Sequence, residues 1–272
     1  MRFRFMAGLP RAGTTLLASM LSQNTDVYLS PQSDLTEHLR RTHQEGMQGE
    51  DWRLGVMRSQ HESLLRGVID AFYADTPQSV VIDKSRCWGA PYYLRLLGDI
   101  LPEEPRILSP VRPLAEVVAS FVRKAQENPD TNYIDRQMIA EDFLPYWRKP
   151  LDDARVDWLL SPGGMLSIAM LSVHSALQEE TAHLFHIYTY ADLVTDPGKT
   201  IDGIYDFLGV ERFPHTFDAI PAAEPHADAE VLGVPDLHAV RPTLEVTAPS
   251  PEEVLSDYAL TRCMIEDFWT AT

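Results

Sequence analysis

The chain has 272 residues, 44% of them hydrophobic, enough for one large α/β domain with a full core. A formal net charge of −17, from 23 Lys and Arg against 40 Asp and Glu, argues against nucleic acid, acidic polysaccharide and anionic membranes as partners. Two cysteines, Cys87 and Cys263, exclude a disulfide framework or a cysteine metal cluster and fit a reducing compartment. No apolar run reaches membrane-spanning length, and an apolar strand beginning by residue 3 leaves no room for a signal peptide, so a soluble, cytoplasmic protein is expected.

The first stretch reads RFMAGLPRAGTTLLASML, from Arg4 to Leu21. A short apolar run meets a turn from Gly8 to Gly13, and Thr14 and Thr15 open an apolar helical stretch. Gly8 and Gly13 have the Gly-x4-Gly spacing of a phosphate-binding loop at a helix N-terminus. Position 14 is Thr where a triphosphate-binding loop carries Lys, and the only cation in the loop is Arg11. The loop is therefore expected to hold an anion other than an ordinary triphosphate; the plain alternative is a well-made strand-to-helix turn.

A short extended segment, Asp26 to Pro31, leads to Asp34-Leu35-Thr36-Glu37, the spacing of a capping box with Asp34 as N-cap. Either carboxylate is also a candidate general base. Residues 50–76 read as helix, with Leu64, Leu65, Val68, Ile69 and Phe72 as a core stripe. Two further β runs end in charge: Ser79 to Arg86, carrying Lys84, and Arg106 to Pro113, carrying Arg112. Charge at the carboxyl end of a parallel strand lies where open α/β sheets bind ligands. A helix from Trp88 and Tyr92 through Ile100 follows the first run, and one from Leu114 to Lys124 follows the second. Strands alternating with helices of this length imply parallel βαβ units.

Residues 125–163 carry no obvious strand and read as a helical insertion over the acceptor side, with aromatics at Tyr133, Phe143, Tyr146, Trp147 and Trp158. A core helix is expected from Met165 to about His183, then a strand from Phe185 to Tyr190, a Pro197-Gly198 turn and an amphipathic helix. Residues 221–251 read as a covering loop before a closing helix from Glu252 to Trp269. Among the histidines, His183 and His186 straddle an element boundary and suit no metal, while His215, His226 and His238 fall in loops, His238 beside Arg241.

Five stretches in chain order, GLPRAGTTLL, DKSRCW, VRPLAEVVASFVRK, HIYTYADLVTDPGKTIDGIYDFLGV and GVPDLHAVRPTLE, together resemble the PAPS-dependent sulfotransferases. The resemblance implies a single domain over residues 1–272, a three-layer α/β/α fold with a central parallel sheet like that of P-loop nucleotide hydrolases, and sulfuryl transfer from 3′-phosphoadenosine 5′-phosphosulfate (PAPS) without a metal. By that match, Arg11, Ala12, Gly13, Thr14 and Thr15 hold the phosphosulfate. Arg112 and Ser120 hold the 3′-phosphate, with Lys124, Arg241 and Tyr190 as further nucleotide contacts. Lys84, aided by Arg11, is expected at the leaving group, and Glu37 or else Asp34 as the base, although the histidine and Glu-Glu patterns of other members are missing. A small-molecule P-loop kinase and a non-catalytic nucleotide-binding protein are the competing readings. The net charge favours a neutral or cationic small acceptor.

Overall fold

The computed structural model describes residues 1–49, 58–143, 149–222, 227–244 and 250–269. Tyr146, Trp147, His226 and parts of the expected 50–76 helix and 221–251 loop lie outside them. Five apolar runs form strands: β1 (Arg2–Met6), β2 (Val27–Gln32), β3 (Val80–Lys84), β4 (Ile107–Val111) and β5 (Phe185–Thr189). They make one sheet in the order β2-β3-β1-β4-β5, and every pairing is parallel. Covered on both faces, such strands need apolar side chains in both directions, hence near-continuous runs such as Val80-Val81-Ile82.

Alternation along β1 and β3 divides the core. Phe3, Phe5 and Val81 face α2 (Leu35–Gln48), α3 (Arg58–Phe72) and α4 (Pro91–Ile100). Met6, Val80 and Ile82 face the opposite layer, whose buried residues come from α1 (Thr14–Leu21), α9 (Tyr190–Thr195) and α10 (Pro197–Leu208). A third cluster joins α5 (Leu114–Glu127), α6 (Tyr133–Ala140), α7 (Leu151–Leu159), α8 (Ser167–Ala176) and α11 (Asp257–Glu266). The result is the expected three-layer α/β/α architecture around a parallel sheet.

Several local expectations change. The core stripe of α3 narrows to Leu65 and Ile69, leaving Leu64 and Phe72 exposed. Pro197 does not make a turn but opens α10, because Asp196 caps it by accepting from the Lys199 amide and proline fits the first helical position. That helix ends where Gly209 takes a left-handed conformation (φ 65°). The helix expected from Met165 is shorter, Ser167–Ala176, and the closing helix is confined to Asp257–Glu266 with Ser256 as its cap. At α2 the Asp34 side chain makes no capping bond. Ser33 caps instead, its Oγ accepting from the Leu35 amide at 3.2 Å. Glu37 turns forward to Arg40 and Arg41 rather than back to the N-cap.

No helix among the described residues is long and apolar enough to cross a membrane.

Candidate active site

The chain leaves β1 for the edge strand β2, returns to β3, then crosses β1 to β4, and this reversal leaves a crevice beyond the carboxyl ends of the strands. The loop after β1 fills it. Its backbone continues along β4, with Ala7 N–H donating to Leu108 O (2.9 Å) and Leu9 N–H to Pro110 O (3.0 Å). Only glycine permits that approach: a Cβ at Gly8 would lie 2.5 Å from Pro110. Arg11 (φ 63°) and Gly13 (φ 82°) are both left-handed, and a Cβ on Gly13 would meet the Tyr190 ring at 2.8 Å. These bends deliver the chain into α1, whose first turn has no side-chain cap. Its first amides have no partner within the helix, and this uncapped terminus suits an anion.

Gly13, Thr14 and Thr15 line a cavity of about 1010 Å³ together with Arg11, Lys84, Arg112, Ser120, Lys124, Tyr190 and Arg241. Ala12 is fully buried, its side chain packed in the core below the loop. Arg11 donates through Nε to Ser120 Oγ (3.1 Å) and through Nη1 to Leu237 O (2.9 Å), tying the loop to α5 and to the 233–244 segment. Burial pulls its pKa down. Arg112 pairs through Nε with Glu116 (2.8 Å), donates through Nη1 to Arg11 O (3.1 Å), and lies 4.6 Å from the centre of the Tyr190 ring. Its remaining nitrogen, Nη2, is buried with no hydrogen-bond partner among the described residues. Lys124 pairs with Glu127 at 2.8 Å.

Lys84 stands at the exit of β3, on the α1 face by alternation. Among the described residues its ammonium has no hydrogen bond or ion pair. Burial, and secondarily the charge of Arg86, lowers its pKa to about 8. The neighbouring Asp83 points to the other face, where its carboxylate accepts from Ser33 Oγ (2.6 Å), Trp88 Nε1 (2.7 Å) and the Tyr73 hydroxyl. Burial raises the Asp83 pKa against the pull of those three donors.

Neither Asp34 nor Glu37 lines the cavity. Hydrogen bonds from Arg40 and then Arg41 hold the Glu37 pKa down to about 2, too weak a base for a neutral nucleophile. One member of a different pair does reach the cavity. His238 lines it, and its Nδ1 lies 2.6 Å from Asp228 Oδ1, while Asp228 Oδ2 accepts from the His238 amide at 2.8 Å. Asp228 is itself buried, so the ring is held by a fixed carboxylate, with Nε2 as its other nitrogen.

Residues 5–215 match the model of the sulfotransferase family. The chain belongs to that family. A solved structure of the sulfotransferase domain from the curacin biosynthetic pathway is 18% identical, covers 98% of each chain and superposes with a TM-score of 0.51, a likeness of fold. The sulfotransferase domain of the Synechococcus PCC 7002 olefin synthase is 21% identical over 97% of this chain and 94% of that one, with a TM-score of 0.48. No curated protein matches by sequence. The protein is accordingly an enzyme of the sulfotransferase class, whose donor is PAPS. No group of three His, Cys, Asp or Glu among the described residues could hold a metal.

Cavity-lining residues that the sequence did not single out include Arg86, Gln137, Met165 and His238, the last with its partner Asp228 behind it. Arg86 had a signal, since it follows Lys84 by two residues just past a strand. Gln137, one helical turn from Tyr133 on α6, carried none, because only the docking of α6 brings it to the cavity. The sequence places His238 only in a loop; its place beside Asp228 depends on a π-helical turn, Asp228–Leu232, inside the expected covering loop.

Proposed function

We propose that the enzyme transfers a sulfuryl group from PAPS to a hydroxyl or amine of a small acceptor, within one domain spanning residues 1–272. The observation that carries this reading is the buried Nη2 of Arg112, unpartnered among the described residues, in a cavity that the uncapped end of α1 also lines. An isolated buried guanidinium nitrogen is costly, and a phosphate oxygen would satisfy it. Arg112 and Ser120, with Lys124, Arg241 and Tyr190, suit a 3′-phosphate and its ribose. The amides of residues 13–15 and the Arg11 guanidinium suit the 5′ phosphosulfate. The donor supplies an activated sulfuryl group and a phosphate leaving group.

Sulfuryl transfer requires an aligned nucleophile, a base and positive charge where the bridging oxygen leaves. Lys84, partnerless and on the same face as α1, provides the charge. We assign the base to His238 rather than Glu37: Asp228 fixes the imidazole through Nδ1 and would stabilise the cation formed when Nε2 takes the acceptor's proton. The adjacent residue, Leu237, is bonded to Arg11, which keeps the imidazole close to the loop.

The test is a comparison of nucleotides by isothermal titration calorimetry. Adenosine 3′,5′-bisphosphate (PAP) should bind at least tenfold more tightly than ATP with magnesium, and the reverse order would refute the assignment.

A further inference from the structure

Three of the cations that line the cavity, Arg11, Lys84 and Arg86, form no ion pair with a carboxylate among the described residues, whereas Arg112 and Lys124 do. Arg11 has two hydrogen bonds, and Lys84 is needed at the transferring group. Arg86 has neither excuse for being there. Among the described residues its one side-chain hydrogen bond is a long one, from Nη1 to Met165 O at 3.4 Å, and no carboxylate forms an ion pair with it. Burial lowers its pKa. The Tyr133 phenol between Arg11 and Arg86 does not offset the charge, because burial pushes its pKa up to about 12 and keeps it neutral. Glu141, which also lines the cavity, is exposed and accepts instead from Trp158 Nε1 at 2.7 Å.

Charge balance then points to the acceptor. The phosphosulfate brings two negative charges against these three positive ones. One cation remains, and a desolvated charge without a partner is strongly unfavourable. Its position decides which. Arg86 follows Lys84 by two residues past the exit of β3, bonded to Met165 and within electrostatic reach of Tyr133, and it takes part in none of the bonds that tie Arg11 and Arg112 to the loop. A guanidinium with most of its donors unused is a bidentate receptor for a planar anion.

Building on the sulfotransferase reading, we infer that Arg86 recognises a carboxylate carried by the acceptor, so that the natural acceptor is a hydroxy- or amino-acid-type anion. This runs against the neutral or cationic acceptor suggested by the net charge of −17, because a buried cation a few ångströms away outweighs a screened surface field.

The probes are two matched pairs, 4-hydroxyphenylacetate against its amide and 3-hydroxyoctanoate against its amide, titrated into the enzyme saturated with PAP. The acid of at least one pair should bind about tenfold or more tightly than its amide. Arg86→Gln should abolish that preference while leaving PAP affinity within about twofold. Equal binding of acid and amide in both pairs, no binding of either acid, or an equal loss for acid and amide in Arg86→Gln would overturn the inference. So would a marked loss of PAP affinity in Arg86→Gln, which would place Arg86 on the donor. Failure of PAP to bind the wild-type enzyme would instead remove the sulfotransferase reading itself.

Discussion

Binding of PAP at about pH 8.5 should draw a proton from solution, and Lys84→Met should abolish the uptake. With a pKa of about 8, Lys84 is only about one-quarter protonated at that pH, whereas at pH 7 it is about nine-tenths protonated. A phosphate beside the ammonium restores the charged form. Uptake should therefore approach about 0.7 proton at pH 8.5 and fall to about 0.1 at pH 7. Calorimetry in buffers of different ionisation enthalpy reads this directly. The same depression has a stability counterpart. The gap between the ordinary 10.5 and about 8 corresponds to about 3 kcal/mol at about 1.4 kcal/mol per pH unit. A base whose folded pKa is lowered destabilises the fold fully below that pKa, and the penalty fades as pH rises from about 8 to about 10.5. Ligand-free Lys84→Met should thus melt several degrees higher than wild type at pH 7, with the advantage gone near pH 10.5. Wild-type binding without proton uptake at pH 8.5, or equal uptake in Lys84→Met, would refute the placement of Lys84 against the leaving group.

Other outcomes follow from the same geometry. His238→Ala should lower kcat by about 10²- to 10⁴-fold with little change in PAP affinity, and Asp228→Asn should lower it less while shifting the pH profile. Glu37→Gln should leave kcat within about twofold, and a large loss there would return the base to α2. Glu116→Gln releases Arg112 from its carboxylate and should tighten PAP binding about two- to fivefold in a titration; weaker binding would mean that Glu116 orients Arg112 rather than competing with the ligand. Gly13→Ala forces a side chain onto a left-handed residue and into the Tyr190 ring, so PAP affinity should fall by about tenfold or more.

The fold was legible because parallel βαβ units announce themselves locally. Val80 to Ile82 or Ile107 to Leu108 can only be strands buried on both sides, and charges at their ends mark one edge of the sheet. Lys84, Arg112, Ser120 and Tyr190 were accessible for that reason: each lies within or just after a regular element whose direction is known. The proposed base was not, because a capping-box spacing at Asp34 and Glu37 gave no hint that Ser33 would cap the helix and two arginines would claim Glu37. Nor could local pattern place His238, whose partner is ten residues earlier across an irregular turn. Tyr133 and Met165 reach the cavity through tertiary packing alone.

The three bonds to Asp83 have a consequence for how damage to this enzyme would be read. They gather Ser33 at the start of α2, Tyr73 just after α3 and Trp88 just before α4 onto the residue next to Lys84. Lys84 thereby takes its position from the opposite face of the sheet, through a single peptide unit. A substitution at Tyr73 or Trp88, out of reach of any ligand, would be scored as a folding defect in a thermal assay and as a catalytic defect in a kinetic one. In this stretch of chain the two phenotypes share one cause.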